Sequence, residues 1–208
     1  MNKDAVLICA PHTDDGELGC GGTIRRFVEE GKTVYYVAFT TAGTEPPFTP
    51  ELVKSELRAA MDVLGIPSHQ LILYNYEIRK LGYVRQQILD QMINLKKEID
   101  PGIVFLPSNN DIHQDHLTIY QEGVRAFKQT TILAYELPWN NITFHTRHFV
   151  PLQKNHIEKK LEALSCYKSQ KHRNFIDADF IWGLARSRGV QIAQKYAEAF
   201  DVIRWILV

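Results

Sequence analysis

The chain has 208 residues, 45% of them hydrophobic, enough to bury a substantial core and most simply organised as one domain over 1–208. Its 24 basic side chains balance 24 acidic ones, which excludes a global field that would recruit nucleic acid or an anionic membrane. Three cysteines, Cys9, Cys20 and Cys166, lack CxxC spacing and read as packing residues of a reducing compartment. No apolar stretch approaches membrane-spanning length, and Lys3 and Asp4 precede a run too short for a signal sequence, so a cytoplasmic protein is expected, with self-association left open.

Residues 5–10, AVLICA, form a buried-strand candidate, followed by a Gly-rich turn and the helix-like TIRRFVEEGK at 23–32, which Gly31 is placed to stop. A β-branched and aromatic strand follows at 33–40. Thr49 and Pro50 then open a helix as cap and first residue, with Val53, Leu57, Ala60, Met61 and Leu64 on one face and Gly65 and Pro67 at its end. After a strand at 71–74, Val84, Ile88, Met92, Leu95 and Ile99 define an amphipathic helix over 84–99. A fourth strand is expected at 103–108, a helix at 115–128 with Tyr120, Val124 and Phe127 inward, and a fifth strand at 131–137. This alternation predicts an α/β fold, a three-layer α/β/α sandwich on a Rossmann-like, mostly parallel sheet.

In a doubly wound sheet ordered 3-2-1-4-5, strands 1 and 4 are neighbours and the crevice at their carboxyl ends is the usual ligand site. The turn after strand 1 lies in CAPHTDDGELGCGG, residues 9–22, and the turn after strand 4 is SNNDIHQDH, residues 108–116. The two would bring together His12, Asp14, Asp15, His113, Asp115 and His116. A catalytic zinc needs three nitrogen or carboxylate ligands and one open position, and the remaining carboxylate and imidazole suit proton transfer and oxyanion stabilisation.

The paired stretches PHTDDGELGCGGTI and HQDH resemble the PIG-L/LmbE family of zinc-dependent N-deacetylases, as do YKSQ at 167–170 and SRGVQIAQKYAEAF at 187–200. The resemblance implies one zinc held by His12, Asp15 and His116, with Asp14 as general base. It further implies that His113, supported by Asp115, stabilises the oxyanion and helps the amine leave, and that the substrate is an N-acetylglucosamine-type amino sugar or its conjugate. Two positions depart from the family pattern. Thr13 stands where proline is usual, and Val53 occupies the position of a substrate-holding arginine, so that either Lys54 or Arg58 substitutes or the protein grips a different substrate.

Other features have plainer readings beside the functional ones. Asp14 and Asp15 could cap the following helix. Asp111, Asn109 and Asn110 read as turn formers. The glycines at 19, 21 and 22 miss a nucleotide-loop spacing, with Ile24 where glycine would be needed, and read as sites of close backbone approach. Trp139, Asn140 and Asn141 offer either a sugar-binding rim or a packed turn. Arg186 and Arg188 suit an anionic substrate group or a solvated face, and His69, His145, His148, His156 and His172 have no ligand-like spacing. A metal-dependent phosphoesterase and a non-catalytic sugar-binding protein with structural zinc stay open as alternatives.

Overall fold

A computed structural model describes residues 2–42, 49–170, 173 and 176–207. His172 lies outside the described residues. The strands are β1 (Asn2–Ala10), β2 (Thr33–Ala42), β3 (Leu71–Glu77), β4 (Pro101–Pro107), β5 (Thr131–Tyr135), β6 (His148–Leu152) and β7 (Tyr196–Arg204). They form one sheet in the order β3-β2-β1-β4-β5-β7-β6. The first five run parallel, whereas β7 is antiparallel to both β5 and β6. The helices are α1 (Asp15–Glu29), α2 (Pro50–Leu64), α3 (Arg85–Ile99), α4 (Gln114–Ala126), α5 (Lys154–Ser165) and α6 (Ala178–Val190).

Strand β1 shows why both sheet faces are covered. Its residues from Ala5 to Ala10 are all fully buried, the continuous apolar run of a central parallel strand. Val6, Ile8 and Ala10 point into one core with Leu57 and Met61 of α2 and Ile157 of α5. Ala5, Leu7 and Cys9 point into the other with Ile88 and Met92 of α3 and Ile119 of α4. The result is the expected α/β/α sandwich. Thr49 accepts from the Leu52 amide, Pro50 opens α2, and Gly65 closes it at φ 86°. Among the described residues no helix is long and apolar enough to cross a membrane.

Three expectations change. First, α1 begins at Asp15 rather than Thr23, so the Gly-rich stretch is helical. A Cβ on Gly16 would lie 2.5 Å from the Tyr36 ring, and one on Gly19 would lie 2.4 Å from Tyr135. Helix propensity is sacrificed there for close packing on the sheet. The helix also kinks at Cys20, with φ −146°. Beside the kink, the buried Lys160 ammonium donates to the Leu18 carbonyl at 2.7 Å and pairs with Glu198 at 2.7 Å. Glu198 in turn accepts from the Gly22 and Thr23 amides and the Thr23 hydroxyl, at 3.0, 2.7 and 2.6 Å. One buried ion pair thus satisfies the backbone groups that the kink releases.

Second, α4 buries more than the expected face: Phe127 is fully buried and Val124 packs against the same core, as expected, but Tyr120 is only partly buried. Its buried positions include His116, Ile119, Gly123 and Ala126. Gly123 sits against Leu106, where a Cβ would be 2.6 Å away. Third, the C-terminal segment read from its motif alone contains the end of α6 and most of β7, which extends the sheet beyond β5.

Candidate active site

Adjacent β1 and β4, in register at Ile8 and Phe105, deliver the two polar turns to one end of the sheet. The amide and hydroxyl of Thr40 on β2 both bond the Pro11 carbonyl, at 3.0 and 2.8 Å, and fix the point where β1 turns. On the other side, His113 caps α4 with its Nδ1 accepting from the Asp115 amide at 3.2 Å.

The turns converge on three atoms. His12 Nδ1 lies 3.1 Å from Asp15 Oδ2, His116 Nε2 lies 3.2 Å from the same oxygen, and the two nitrogens are 3.2 Å apart. A tetrahedral ion with bonds of about 2.0–2.1 Å requires ligand atoms about 3.3 Å apart, so this triangle matches one face of its coordination shell. The outer nitrogen of each imidazole meets a buried carboxylate: His12 Nε2 lies 3.1 Å from Asp115 Oδ2, and His116 Nδ1 lies 2.7 Å from Asp111 Oδ2. Those carboxylates favour the tautomers that turn a lone pair toward the triangle, and they raise ligand basicity.

The carboxylates are themselves anchored. Asp115 accepts from the Arg79 amide at 2.6 Å and the Leu81 amide at 3.2 Å, and Asp111 Oδ1 accepts from the His113 amide at 2.8 Å. Asp111 therefore orients a site histidine rather than merely forming a turn. Asp115, expected beside His113, has its carboxylate turned to His12 instead. The Asp115 assignment depends on packing between distant segments, whereas Asp111 reaches a histidine five positions on, and an aspartate before and one within a His-x-x-His pair are a usable sequence signal.

The charges follow from this arrangement. Burial alone would raise the Asp15 carboxyl, but the imidazoles of His116 and His12 outweigh it and hold the group well below the usual range. Burial works the other way on His116, where Asp15 and Asp111 prevail and push the imidazole up to about 10. His113 is pushed down to about 4 by burial and by the neighbouring His12 and His116. With Nδ1 occupied as an acceptor, its neutral ring carries the proton on Nε2 and can serve as a donor there. The rings of His12 and His116 are 4.7 and 4.6 Å from that of His113, so it borders the triangle. Among the described residues, nitrogens of these three histidines all lie within 4.8 Å of one another.

Asp14 differs from its neighbour. It precedes α1 without capping it, and its Oδ2 is buried with no hydrogen-bond partner. Burial, then the charge of Asp15, raise its carboxyl, opposed by Arg173 and His12. An uncommitted acceptor beside a ligand triangle is suited to taking a proton from water.

The peripheral candidates have other partners. Trp139 packs edge-on against Phe180 at 6.1 Å, as a packed turn would. The Asn140 carbonyl accepts from the Ile112 amide at 3.1 Å, and Asp111 and Asn141 form a bridge, so residues 140–142 lie along the turn that carries His113. Arg188 forms a two-pronged pair with Glu136, and Arg186 donates to the Lys195 carbonyl, so both have intramolecular roles. Val53 is a core residue, Lys54 bonds Asn75 Oδ1 at 3.1 Å, and Arg58 is exposed. His156 pairs with Glu29 at 2.8 Å, His148 stacks near Trp205, and His69 and His145 are exposed.

The molecule is thus a three-layer α/β sandwich with a His/Asp triangle at the switch point of its sheet. The PIG-L profile, described as GlcNAc-PI de-N-acetylase, matches residues 7–127, and the chain belongs to that family. It is 29% identical over 175 residues to the uncharacterized deacetylase YaiS of Escherichia coli, a match covering 80% of this chain and 92% of YaiS. N,N'-diacetylchitobiose deacetylase from Pyrococcus horikoshii has the same fold, with a TM-score of 0.78 at 23% identity over 97% of this chain and 84% of that one. So does GalB, the 4-carboxy-2-hydroxymuconate hydratase from Pseudomonas putida, with a TM-score of 0.77 at 18% identity over 98% of each chain. The fold alone therefore admits more than one reaction, and family membership identifies the chain as a deacetylase.

Proposed function

We propose that this deacetylase hydrolyses the acetamide of an N-acetylglucosamine-type amino sugar or its conjugate, with one zinc held by His12 Nδ1, Asp15 Oδ2 and His116 Nε2. The observation that carries the reading is the triangle of 3.1–3.2 Å edges, backed on both imidazoles by buried carboxylates. Its three protein ligands, one a carboxylate, fit a catalytic site better than a four-ligand structural one. When bound, the ion lowers the pKa of water to about 7 and polarises the scissile carbonyl.

The protein groups then divide the proton work. Asp14 Oδ2 accepts a proton as water oxygen bonds to the acetyl carbon. His113, neutral at rest, donates a hydrogen bond from Nε2–H to the carbonyl oxygen as negative charge builds there. Asp14 returns its proton to the nitrogen as the C–N bond breaks, so acetamide and water give acetic acid and a free amine. Asp115 and Asp111 keep the His12 and His116 rings in place. Acetate release from N-acetylglucosamine and N,N'-diacetylchitobiose, measured before chelation, after it and after zinc is restored, tests the reading. Turnover should vanish with the metal and return with zinc; turnover untouched by complete metal removal would overturn it.

A further inference from the structure

The YKSQ segment has no part in the chemistry above, yet one end of it is tied to the metal turn and the other to α2. Tyr167 is buried, and its hydroxyl donates to the Thr13 carbonyl at 2.6 Å while also contacting Glu17. Ser169 is fixed by the buried Glu56 of α2, which accepts from its amide at 2.9 Å and its hydroxyl at 2.6 Å. A phenol from after α5 therefore reaches back 154 positions to the peptide that precedes Asp14.

The Thr13 carbonyl lies outside the α1 ladder, whose first acceptor is the Asp14 carbonyl, bonded by the Leu18 amide at 3.0 Å. The Tyr36 hydroxyl approaches the Thr13 carbonyl as well, but at 3.2 Å, so Tyr167 is its closer donor. Fixing that carbonyl fixes the plane of the Thr13–Asp14 peptide and hence the direction of the Asp14 side chain. The Asp14 carboxylate does not cap α1 and its Oδ2 has no hydrogen-bond partner, so besides its own backbone amide and the charges of Arg173 and His12 it is the peptide that sets its direction.

We propose that Tyr167 is a positioning residue that aims the Asp14 carboxylate by holding the Thr13–Asp14 peptide through its phenol hydroxyl. The proposal rests on Asp14 being the general base. Misplacement of a reacting group by about 1 Å can cost about 100-fold in rate, and loss of the hydroxyl frees the peptide to shift on that scale.

The test is a double-mutant cycle on the zinc-loaded enzyme with N,N'-diacetylchitobiose, using Tyr167→Phe, which keeps the ring and its packing. Tyr167→Phe should lower kcat about 10- to 100-fold with KM and zinc content unchanged. In an Asp14→Asn background the same change should alter kcat by less than about twofold, because no base remains to be aimed. A full further loss in that background, or an unchanged kcat in the single variant, overturns the proposal. If Tyr167→Phe does not fold, Ser169→Ala, which removes the hydroxyl half of the segment's hold on Glu56 and leaves the amide half, replaces it. A smaller kcat loss masked by Asp14→Asn supports the proposal, and an unmasked or absent loss refutes it. Wild-type turnover in Asp14→Asn alone would instead refute the assignment of the base, and this inference with it.

Discussion

Replacing Glu17 by glutamine should change how the stability of the protein depends on pH. Glu17 is fully buried beneath the metal turn, and burial raises its carboxyl to about 8 despite hydrogen bonds from Tyr167 and Tyr36 that favour the charge. The geometry agrees. Tyr36 and Tyr167 each make close contacts with both Glu17 and the Thr13 carbonyl, four oxygen–oxygen contacts in all. Two phenols supply only two protons to those contacts, and a protonated Glu17 supplies a third. An unfolded glutamate titrates near about 4.3. Between that pH and about 8 the folded chain holds a proton that the unfolded chain has lost. The stabilisation is thus complete below the unfolded pKa and is lost as pH rises through the folded one. The slope is about 1.4 kcal/mol per pH unit, and the whole window amounts to roughly 5 kcal/mol. Glutamine cannot ionise, so Glu17→Gln removes this contribution while leaving every other titrating group in place. Urea unfolding of the metal-free wild type and variant at pH 5, 6, 7 and 8 gives the comparison directly. The wild type should lose stability relative to Glu17→Gln at each step. Parallel curves would refute the neutral Glu17 and the proton count behind it.

Two further substitutions test the carboxylate behind His116 and the ion pair at the α1 kink. Asp111→Asn takes the carboxylate from His116 Nδ1, and competitive chelator titration should show zinc affinity lowered about 10- to 100-fold with the fold intact by circular dichroism. Lys160→Met leaves Glu198 as an unpaired buried charge beside the α1 kink, so urea unfolding should show a loss of about 3–5 kcal/mol.

Much of the frame was legible in the chain because local rules and tertiary packing agree there. The five parallel strands are apolar runs, α2 carries its own start and stop signals at Thr49, Pro50 and Gly65, and the strand order alone brings residues 12–15 beside residues 113–116. Reading failed where tertiary contact overrides local preference. Glycines at 16 and 19 argue against a helix until Tyr36 and Tyr135 are seen to occupy the space that a Cβ would need. Strand β7 is obscured by Glu198 and Asp201, polar side chains buried against partners that only the fold supplies, Lys160 and Arg147. Asp111 looks like any turn aspartate in sequence, since a carboxylate that meets solvent and one that orients a buried imidazole are the same residue in the same polar run. The same holds for Asp115, whose partner His12 lies 103 positions away.

The central claim, that adjacent aspartates divide the labour between holding a metal and moving a proton, is tested most directly by measuring bound zinc and acetate release together in Asp14→Asn and Asp15→Asn. Asp15→Asn should lose both zinc and turnover, because its Oδ2 is one corner of the ligand triangle. Asp14→Asn should keep about one zinc per chain and lose turnover by about 10²- to 10⁴-fold, the range expected on removing a general base. Full zinc occupancy in Asp15→Asn, or wild-type turnover in Asp14→Asn, would contradict the account.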